Sequence, residues 1–391
     1  MSKTCAVIEL GTSKVICLIA DKNELDEANV LGMGYAEYAP VHSGGLPGPD
    51  DLLPAVVKAV KDADAQSGRR IRNIYLCVPA SECRVTTGMT HMDLGTQRLV
   101  TNRDVEMLFN SGRQAVARKG YQILQHCPIT FWVDDMLKME PVGEQATRLD
   151  AHVSYILGSE NYIQNATALL NQIGINVLGV IAAPLGQALT FIQPQERDHT
   201  ALLLDVGYAT MTLSVVKGDG LLYLHTFPVG GRNISRDIAT VEGINYGFAE
   251  QLKRRCVFGL NISPDDCYEA MDRSAMKLVK FPAERIQQVV ESRLDEMLDT
   301  VFDRLSASGV ELPEQVTLHL TGGGICFMRG IKDYVQRKYG LETQIAQPRG
   351  SNLNKPSHSA ICGVLDMIIK QELDGDEDEG LFNRIKNLFK F

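Results

Sequence analysis

Three observations predict an α/β fold. Strand-like and helix-like segments alternate along the chain. Several strands read as unbroken apolar runs, as strands buried on both faces do. One strand–glycine–strand unit occurs twice, half a chain apart. The 391 residues suffice for two to four domains. Hydrophobic residues are 45% and charged residues 22% of the chain, a balance that excludes collagen, coiled coil and bulk disorder. The net charge of -9 argues against a nucleic-acid partner. The longest apolar stretch, Val177 to Leu185, is about half a bilayer span, so no transmembrane helix is expected. The N-terminus has no cationic region or cleavage site of a secretory signal. The nine cysteines form no CxxC pair and read as small buried hydrophobes.

Cys5 to Leu10 is the first apolar strand, and Val15 to Ala20 the second, after Gly11-Thr12-Ser13. Asp50 to Gln66 places Leu52, Leu53, Val56, Val57 and Val60 at helical spacing, with Gly68 as a stop. Ile74 to Val78 is a strand. Thr101-Asn102-Arg103-Asp104 opens a helix predicted to reach Val116. A helix ends over Leu169 to Ile173, and Val177 to Ile181 is again a strand. Ala283 to Ser306 carries Ile286, Val289, Val290, Leu294, Leu298 and Val301 on one face, a helix packed on a sheet.

The repeated unit is Ala6-Val7-Ile8-Glu9-Leu10-Gly11-Thr12-Ser13 and Leu202-Leu203-Leu204-Asp205-Val206-Gly207-Tyr208-Ala209-Thr210. Its two acids lie 196 residues apart. Two such units imply two similar α/β lobes. A strand–turn–strand with an acid at its end can clamp phosphate. The acid holds Mg²⁺ through water, Gly11 and Gly207 free backbone amides, and Thr12, Ser13 and Thr210 add hydroxyls. A third element, Val316 to Leu320 followed by Thr321-Gly322-Gly323-Gly324, is a strand entering three glycines and then a helix from Arg329 to Tyr339. Glycines let a backbone approach a ligand, and their amides bind anions. A tight turn alone needs one glycine, so three favour a ligand, here adenosine.

In these motifs the chain resembles the actin-like ATPase superfamily and, within it, the cell-division FtsA family. Ile8-Glu9-Leu10-Gly11-Thr12-Ser13-Lys14 resembles the family's first phosphate motif. Val78-Pro79-Ala80-Ser81 to Asp104 resembles its inserted subdomain. Asn176-Val177 to Leu189 resembles its connecting helix. Phe227-Pro228-Val229-Gly230-Gly231 to Asp237-Ile238-Ala239 resembles its post-clamp loop. Ala249-Glu250-Gln251-Leu252-Lys253 resembles the helix whose Glu and Lys reach the nucleoside, and Leu320 to Gly324 resembles its adenosine motif.

The resemblance implies a two-lobed actin-like α/β fold with two ribonuclease-H-like domains and a small α+β insert. The implied division is 1–80 plus 164–197 for the first core domain and 81–163 for the insert. Residues 198–235 plus 316–370 form the second core, and 236–315 a helical or mixed subdomain. ATP and Mg²⁺ are the implied cofactors. Glu9, Gly11, Thr12, Ser13, Asp205, Gly207 and Thr210 line phosphate, and Lys14, Gly230 and Gly231 also bind the nucleotide. Glu250, Lys253, Gly322, Gly323 and Gly324 line the nucleoside, and Glu9 and Asp205 hold the metal through water. The implied partners are the C-terminal tail of FtsZ, further copies of the chain in a filament, and anionic inner-membrane lipid. The implied place is the cytoplasmic face of the membrane at the division site.

Four departures from the family pattern predict weakened binding and slow or absent hydrolysis. Glu9 replaces Asp, which moves the carboxylate by about 1.5 Å. Tyr208 and Ala209 replace glycines, Thr212 replaces a terminal Asp, and Ala183 replaces the water-positioning acid before Pro184. No catalytic residue is therefore assigned.

Residues 371–380 are nearly devoid of apolar side chains and read as an extended acidic linker. Beyond it, Leu381, Phe382, Ile385, Leu388 and Phe389 fall within an arc of roughly 120° on a helix. Arg384, Lys386 and Lys390 take the other side. This is a cationic amphipathic helix, suited to lying in an anionic membrane surface. A helix docked on its own domain would need neither the tether nor the all-cationic face. The rival readings are a pilus-assembly-type scaffold and a soluble sugar or acetate kinase. Ala183 and the tail argue against the kinase.

Overall fold

The computed structural model describes residues 4–23, 27–38, 49–259, 262–272, 277–349 and 353–372. The chain divides into two compact units. Of the described residues, those within 4–201, 214–225 and 359–372 form one unit, and those within 202–213 and 226–358 the other.

The first unit opens with β1 (Thr4–Leu10), β2 (Lys14–Lys22) and β3 (Ala28–Glu37), followed by α1 (Pro49–Ser67) and β4 (Asn73–Val78). The insert contains β5 (Cys83–Leu99), α2 (Asn102–Ser111), β6 (Tyr121–Val133), β7 (Met136–Lys138) and β8 (Gln145–Ser159). Then come α3 (Glu160–Gln172), β9 (Asn176–Ala182), α4 (Ala183–Phe191) and α5 (Pro194–His199). The main sheet runs β3-β2-β1-β4-β9. β1 is antiparallel to β2 and parallel to β4, and β4 is parallel to β9. Val7, Ile8, Val15, Ile16 and Leu18 have no exposed surface, each burial stabilising by about 1.5–3 kcal/mol.

The insert is a four-stranded antiparallel sheet in the order β5-β8-β6-β7. It has its own core, including Leu108, Phe109, Phe131, Leu149 and Tyr155. α2 stops at Ser111, five residues short of the predicted Val116. Gly112 packs so tightly that a Cβ there would lie 2.1 Å from the Tyr155 hydroxyl. The insert sheet ends at Ser159, and α3, which follows, packs on β9, β8 and α1.

The chain continues with β10 (Ala201–Val206), β11 (Met211–Lys217) and β12 (Gly220–Phe227), then α6 (Gly231–Glu242) and α7 (Tyr246–Lys253). It continues with β13 (Cys267–Asp272), β14 (Lys277–Pro282), α8 (Ala283–Ser306), β15 (Thr317–Thr321), α9 (Ile331–Tyr339) and β16 (Glu342–Ile345). The second five-stranded sheet, in the order β12-β11-β10-β15-β16, repeats the order of the first strand for strand. α8 has the predicted limits. The stretch read as a post-clamp loop is a loop only to Gly230, after which α6 begins.

Two groupings differ from the sequence reading. Residues 214–225 group with the first unit, where the Ser154 hydroxyl bonds both the carbonyl and the amide of Leu221 (2.7 and 3.1 Å). The last helix, α10 (Ser359–Glu372), was expected with the second core and packs instead on α4 and β1 of the first unit. It crosses α4 at two glycines. A Cβ on Gly363 would lie 2.5 Å from the Gly186 carbonyl carbon. The Gln187 amide donates to the Ser359 hydroxyl at 2.8 Å beside this crossing.

Candidate functional site

In the first unit the chain leaves β1 after Glu9 and Leu10 and turns through Gly11, Thr12 and Ser13 into β2. The Gly11 amide closes the turn on the Lys14 carbonyl at 2.9 Å. A Cβ on Gly11 would sit 3.1 Å from that oxygen, tighter than most side-chain contacts. Thr12, Ser13 and Lys14 remain partly exposed. Tyr38, just past β3, holds the turn twice. Its hydroxyl donates to the Gly11 carbonyl and its amide to the Ser13 carbonyl at 3.2 Å. Glu9 lies in register with Cys77 on β4. Burial, with the Glu9 charge second, raises the Tyr38 phenol, the Cys77 thiol and the Cys362 thiol. Ala183 is 4% exposed at the start of α4 and offers only a methyl group where the family pattern has an acid.

The second unit repeats the hairpin. β10 ends in Asp205 and Val206, and the Gly207 amide closes the turn on the Thr210 carbonyl at 2.8 Å. A Cβ on Gly207 would again lie 3.1 Å from that carbonyl oxygen. Gly11 and Gly207, and Lys14 and Thr210, stand at the 196-residue offset of the two acids. Ala209 is 1% exposed. Thr212 spends its hydroxyl on Thr226 at 3.1 Å.

Glycines surround this second hairpin. The amides of Gly231 and Arg232 donate to the carbonyls of Gly207 and Tyr208, both at 2.9 Å, and the Gly324 amide donates to Val206 at 2.7 Å. Gly322 has φ +92°, and a Cβ there would lie 2.2 Å from Asp205 Oδ1. Cβ atoms on Gly231 and Gly324 would meet Gly324 Cα at 2.6 Å and the Gly207 carbonyl at 2.5 Å. Gly323 faces Ser357, at 2.8 Å from an added Cβ. Each glycine of the triplet thus has a packing reason of its own. The number of glycines alone does not require a ligand, contrary to the sequence argument.

Glu250 and Lys253 form a brace beneath Gly231. The Lys253 ammonium contacts Glu250 at 2.8 Å and donates to the Gly231 carbonyl at 3.0 Å. Ser235 donates to Glu250 at 2.6 Å, and Arg254 lies 3.0 Å from its other oxygen. Lys253 is 2% exposed. Burial pulls its ammonium below the ordinary lysine value against the opposing pull of Glu250. Burial alone would raise the Glu250 carboxyl, but Lys253, Ser235 and Arg254 together hold it below the usual range. The family reading gives these two side chains direct nucleoside contacts. The structure places Lys253 as a buried support of the glycine turn.

The residues fit an anionic ligand. In the first unit the turn offers the Thr12 and Ser13 hydroxyls as donors after the Glu9 carboxylate, and in the second the Thr210 hydroxyl after the Asp205 carboxylate; hydroxyl donors suit an anion, and carboxylate oxygens suit Mg²⁺. Among the described residues no group of three or more His, Cys, Asp and Glu could hold a metal ion. Sequence reasoning missed Tyr38 and Arg232. Tyr38 has no motif, and Arg232 acts through its amide, which no side-chain pattern reveals. The tail residues Leu381, Phe382, Arg384, Ile385, Lys386, Leu388, Phe389 and Lys390, with most of the 371–380 linker, lie outside the described residues.

The family model "Cell division protein FtsA" matches residues 202–363, and the model "SHS2 domain inserted in FTSA" matches residues 81–157. The chain is 23% identical over 387 residues to the cell division protein FtsA of Escherichia coli strain K12, covering 95% of this chain and 91% of that protein. It is 22% identical over 385 residues to FtsA of Neisseria meningitidis serogroup B, covering 94% and 90%. Among solved structures it resembles a PilM–PilN type IV pilus biogenesis complex, with TM-score 0.62 and 14% identity over 92% of this chain and 97% of that one. It also resembles MreB5 of Spiroplasma citri bound to AMPPNP, with TM-score 0.55 and 14% identity over 95% and 97%. The twinned sheets, the insert and these matches agree: the chain belongs to the FtsA family of cell-division proteins, within the actin-like ATPase superfamily.

Proposed function

We propose that this chain is an ATP-binding scaffold that assembles into filaments and tethers the FtsZ ring to the cytoplasmic membrane. The observation that carries the reading is the pair of hairpins, closed by the same bond at the same offset in an FtsA-family chain. Thr12, Ser13 and Lys14 of one unit, and Thr210 of the other, bind phosphate oxygens at the turns that Gly11 and Gly207 close. Gly322, Gly323 and Gly324 take the nucleoside, with Glu250 and Lys253 as the braced support of Gly230 and Gly231. Glu9 and Asp205 hold Mg²⁺ through water, and the bound cation neutralises phosphate charge. Neither Ala183 nor Thr212 carries a carboxylate that could activate water. Turnover therefore falls below about 1 s⁻¹, the lower edge of the ordinary enzyme range.

Among the described residues no helix is long and apolar enough to cross a membrane. Attachment rests on residues 381–391, whose amphipathic spacing in the sequence suits a membrane-surface helix. Each cation contributes about 1 kcal/mol at an anionic leaflet. One tail binds weakly, and many tails in a filament bind strongly through avidity. A polymerisation-dead variant should therefore leave vesicles that the parent holds.

The rival scaffold reading draws on the fold likeness to the PilM-containing complex. A peptide of the FtsZ C-terminal tail separates the two. Saturable binding to the purified chain supports the division scaffold, and no binding at any accessible concentration overturns it.

A further inference from the structure

The two hairpins carry the same turn but are pinned differently. In the second unit the Gly207 carbonyl accepts from the Gly231 amide and the Tyr208 carbonyl from the Arg232 amide, both at the start of α6. In the first unit Gly11 stands at the Gly207 position. Its carbonyl accepts from the Tyr38 hydroxyl, and the Ser13 carbonyl accepts from the Tyr38 amide at 3.2 Å. One tyrosine supplies two pins where the other unit uses a helix start.

A pinned carbonyl has a consequence across its peptide bond. The peptide is planar and trans, so its C=O and N–H point in opposite directions. Fixing the Gly11 oxygen on Tyr38 aims the Thr12 amide to the opposite side of the turn. The Gly11 amide is already spent on Lys14. The phenol is well suited to the task. Burial first, and the Glu9 charge second, raise its pKa, so it keeps its proton and remains a donor throughout the physiological range.

We propose that Tyr38 is a positioning residue that aims the Thr12 amide at a phosphate group of the bound nucleotide. The inference rests on the ATP-binding reading above. Without the phenol the Gly11 carbonyl loses its anchor, and the Gly11–Thr12 peptide must be ordered further when the ligand binds. Losing a bond of this kind corresponds to a roughly three- to ten-fold weaker affinity. Adenosine, which has no phosphate, should not register the loss.

The test uses the full-length chain and its Tyr38→Phe variant, with ATP and adenosine as titrants. The expected result is three- to ten-fold weaker ATP binding by the variant with adenosine binding unchanged. Equal ATP affinities for parent and variant overturn the role of Tyr38 and leave ATP binding standing. An equal loss for both ligands also overturns it, because general damage to the fold acts that way. A parent that binds neither ligand overturns the nucleotide reading itself. Hydrogen exchange over residues 11–14 of the parent needs no variant. The account expects ATP to protect the Thr12 amide, and unchanged exchange at saturating ATP contradicts it.

Discussion

The Glu250–Lys253 brace makes an asymmetric prediction. Lys253 is 3% exposed as a side chain and Glu250 23%. Replacing Lys253 with Met leaves Glu250 with the Ser235 hydroxyl and the Arg254 guanidinium. The change orphans only the Gly231 carbonyl, which costs about 1–2 kcal/mol. Replacing Glu250 with Gln strands a buried ammonium beside Arg254, and breaking a buried pair in this way costs about 3–5 kcal/mol. E250Q should therefore be the more destabilised variant by about 2 kcal/mol or more. The pH dependence follows in sign. Burial sets the folded pKa of Lys253 below its unfolded value. Between those two values the unfolded chain binds more protons, so stability rises with pH across the window. Without Glu250 to oppose burial the window widens. Raising the pH from about 7 to 9 should narrow the gap between E250Q and the parent. Calorimetric unfolding of the parent, K253M and E250Q at both pH values measures this. Equal losses, or K253M as the weaker protein, would refute the reasoning.

Three further predictions concern the rest of the fold. His126 is 6% exposed against Phe109, and burial, with Arg113 second, lowers its pKa from 6.5 to about 4. Its contribution is present above pH 6.5 and lost as pH falls toward 4. Between about pH 7 and 5 that loss is about 2 kcal/mol, absent in a His126→Met chain, and denaturant midpoints across that range should show the difference. Gly322→Ala forces a Cβ into Asp205 at a φ of +92°. It should cost about 2–5 kcal/mol from overpacking and strain together and abolish ATP binding in a titration. Gly363→Ala pushes α10 off Gly186. It should lower stability by about 1–3 kcal/mol despite the better helix propensity of alanine, and a melting temperature at or above the parent's would contradict the tight crossing.

The hairpins were legible in the sequence because their signals are local. An apolar run, an acid and a glycine declare β1–β2 and β10–β11, and the long amphipathic period of α8 fixes its ends. The pairing inside the insert was not legible, since β5, β6 and β8 mix exposed and buried positions and pair over distances that no short pattern encodes. α6 was hidden because Pro228 and the two glycines read as a loop, whereas Gly230 and Gly231 are there to admit Tyr208 and Gly324. The place of α10 depends on Gly363 meeting Gly186, a contact between residues far apart in sequence. Tyr38 was missed because its role rests on what it touches. The glycine triplet was over-read, because its close contacts with Asp205, Gly207 and Ser357 explain it without a ligand.

The central claim is attachment to membrane by an assembling scaffold. Co-sedimentation with anionic liposomes tests it most directly, comparing the full chain with one ending at Glu379, each with and without ATP and Mg²⁺. The account predicts that the full chain pellets, more so with nucleotide, and that the truncated chain stays in solution. Equal sedimentation of the two chains, or none by either, would contradict it.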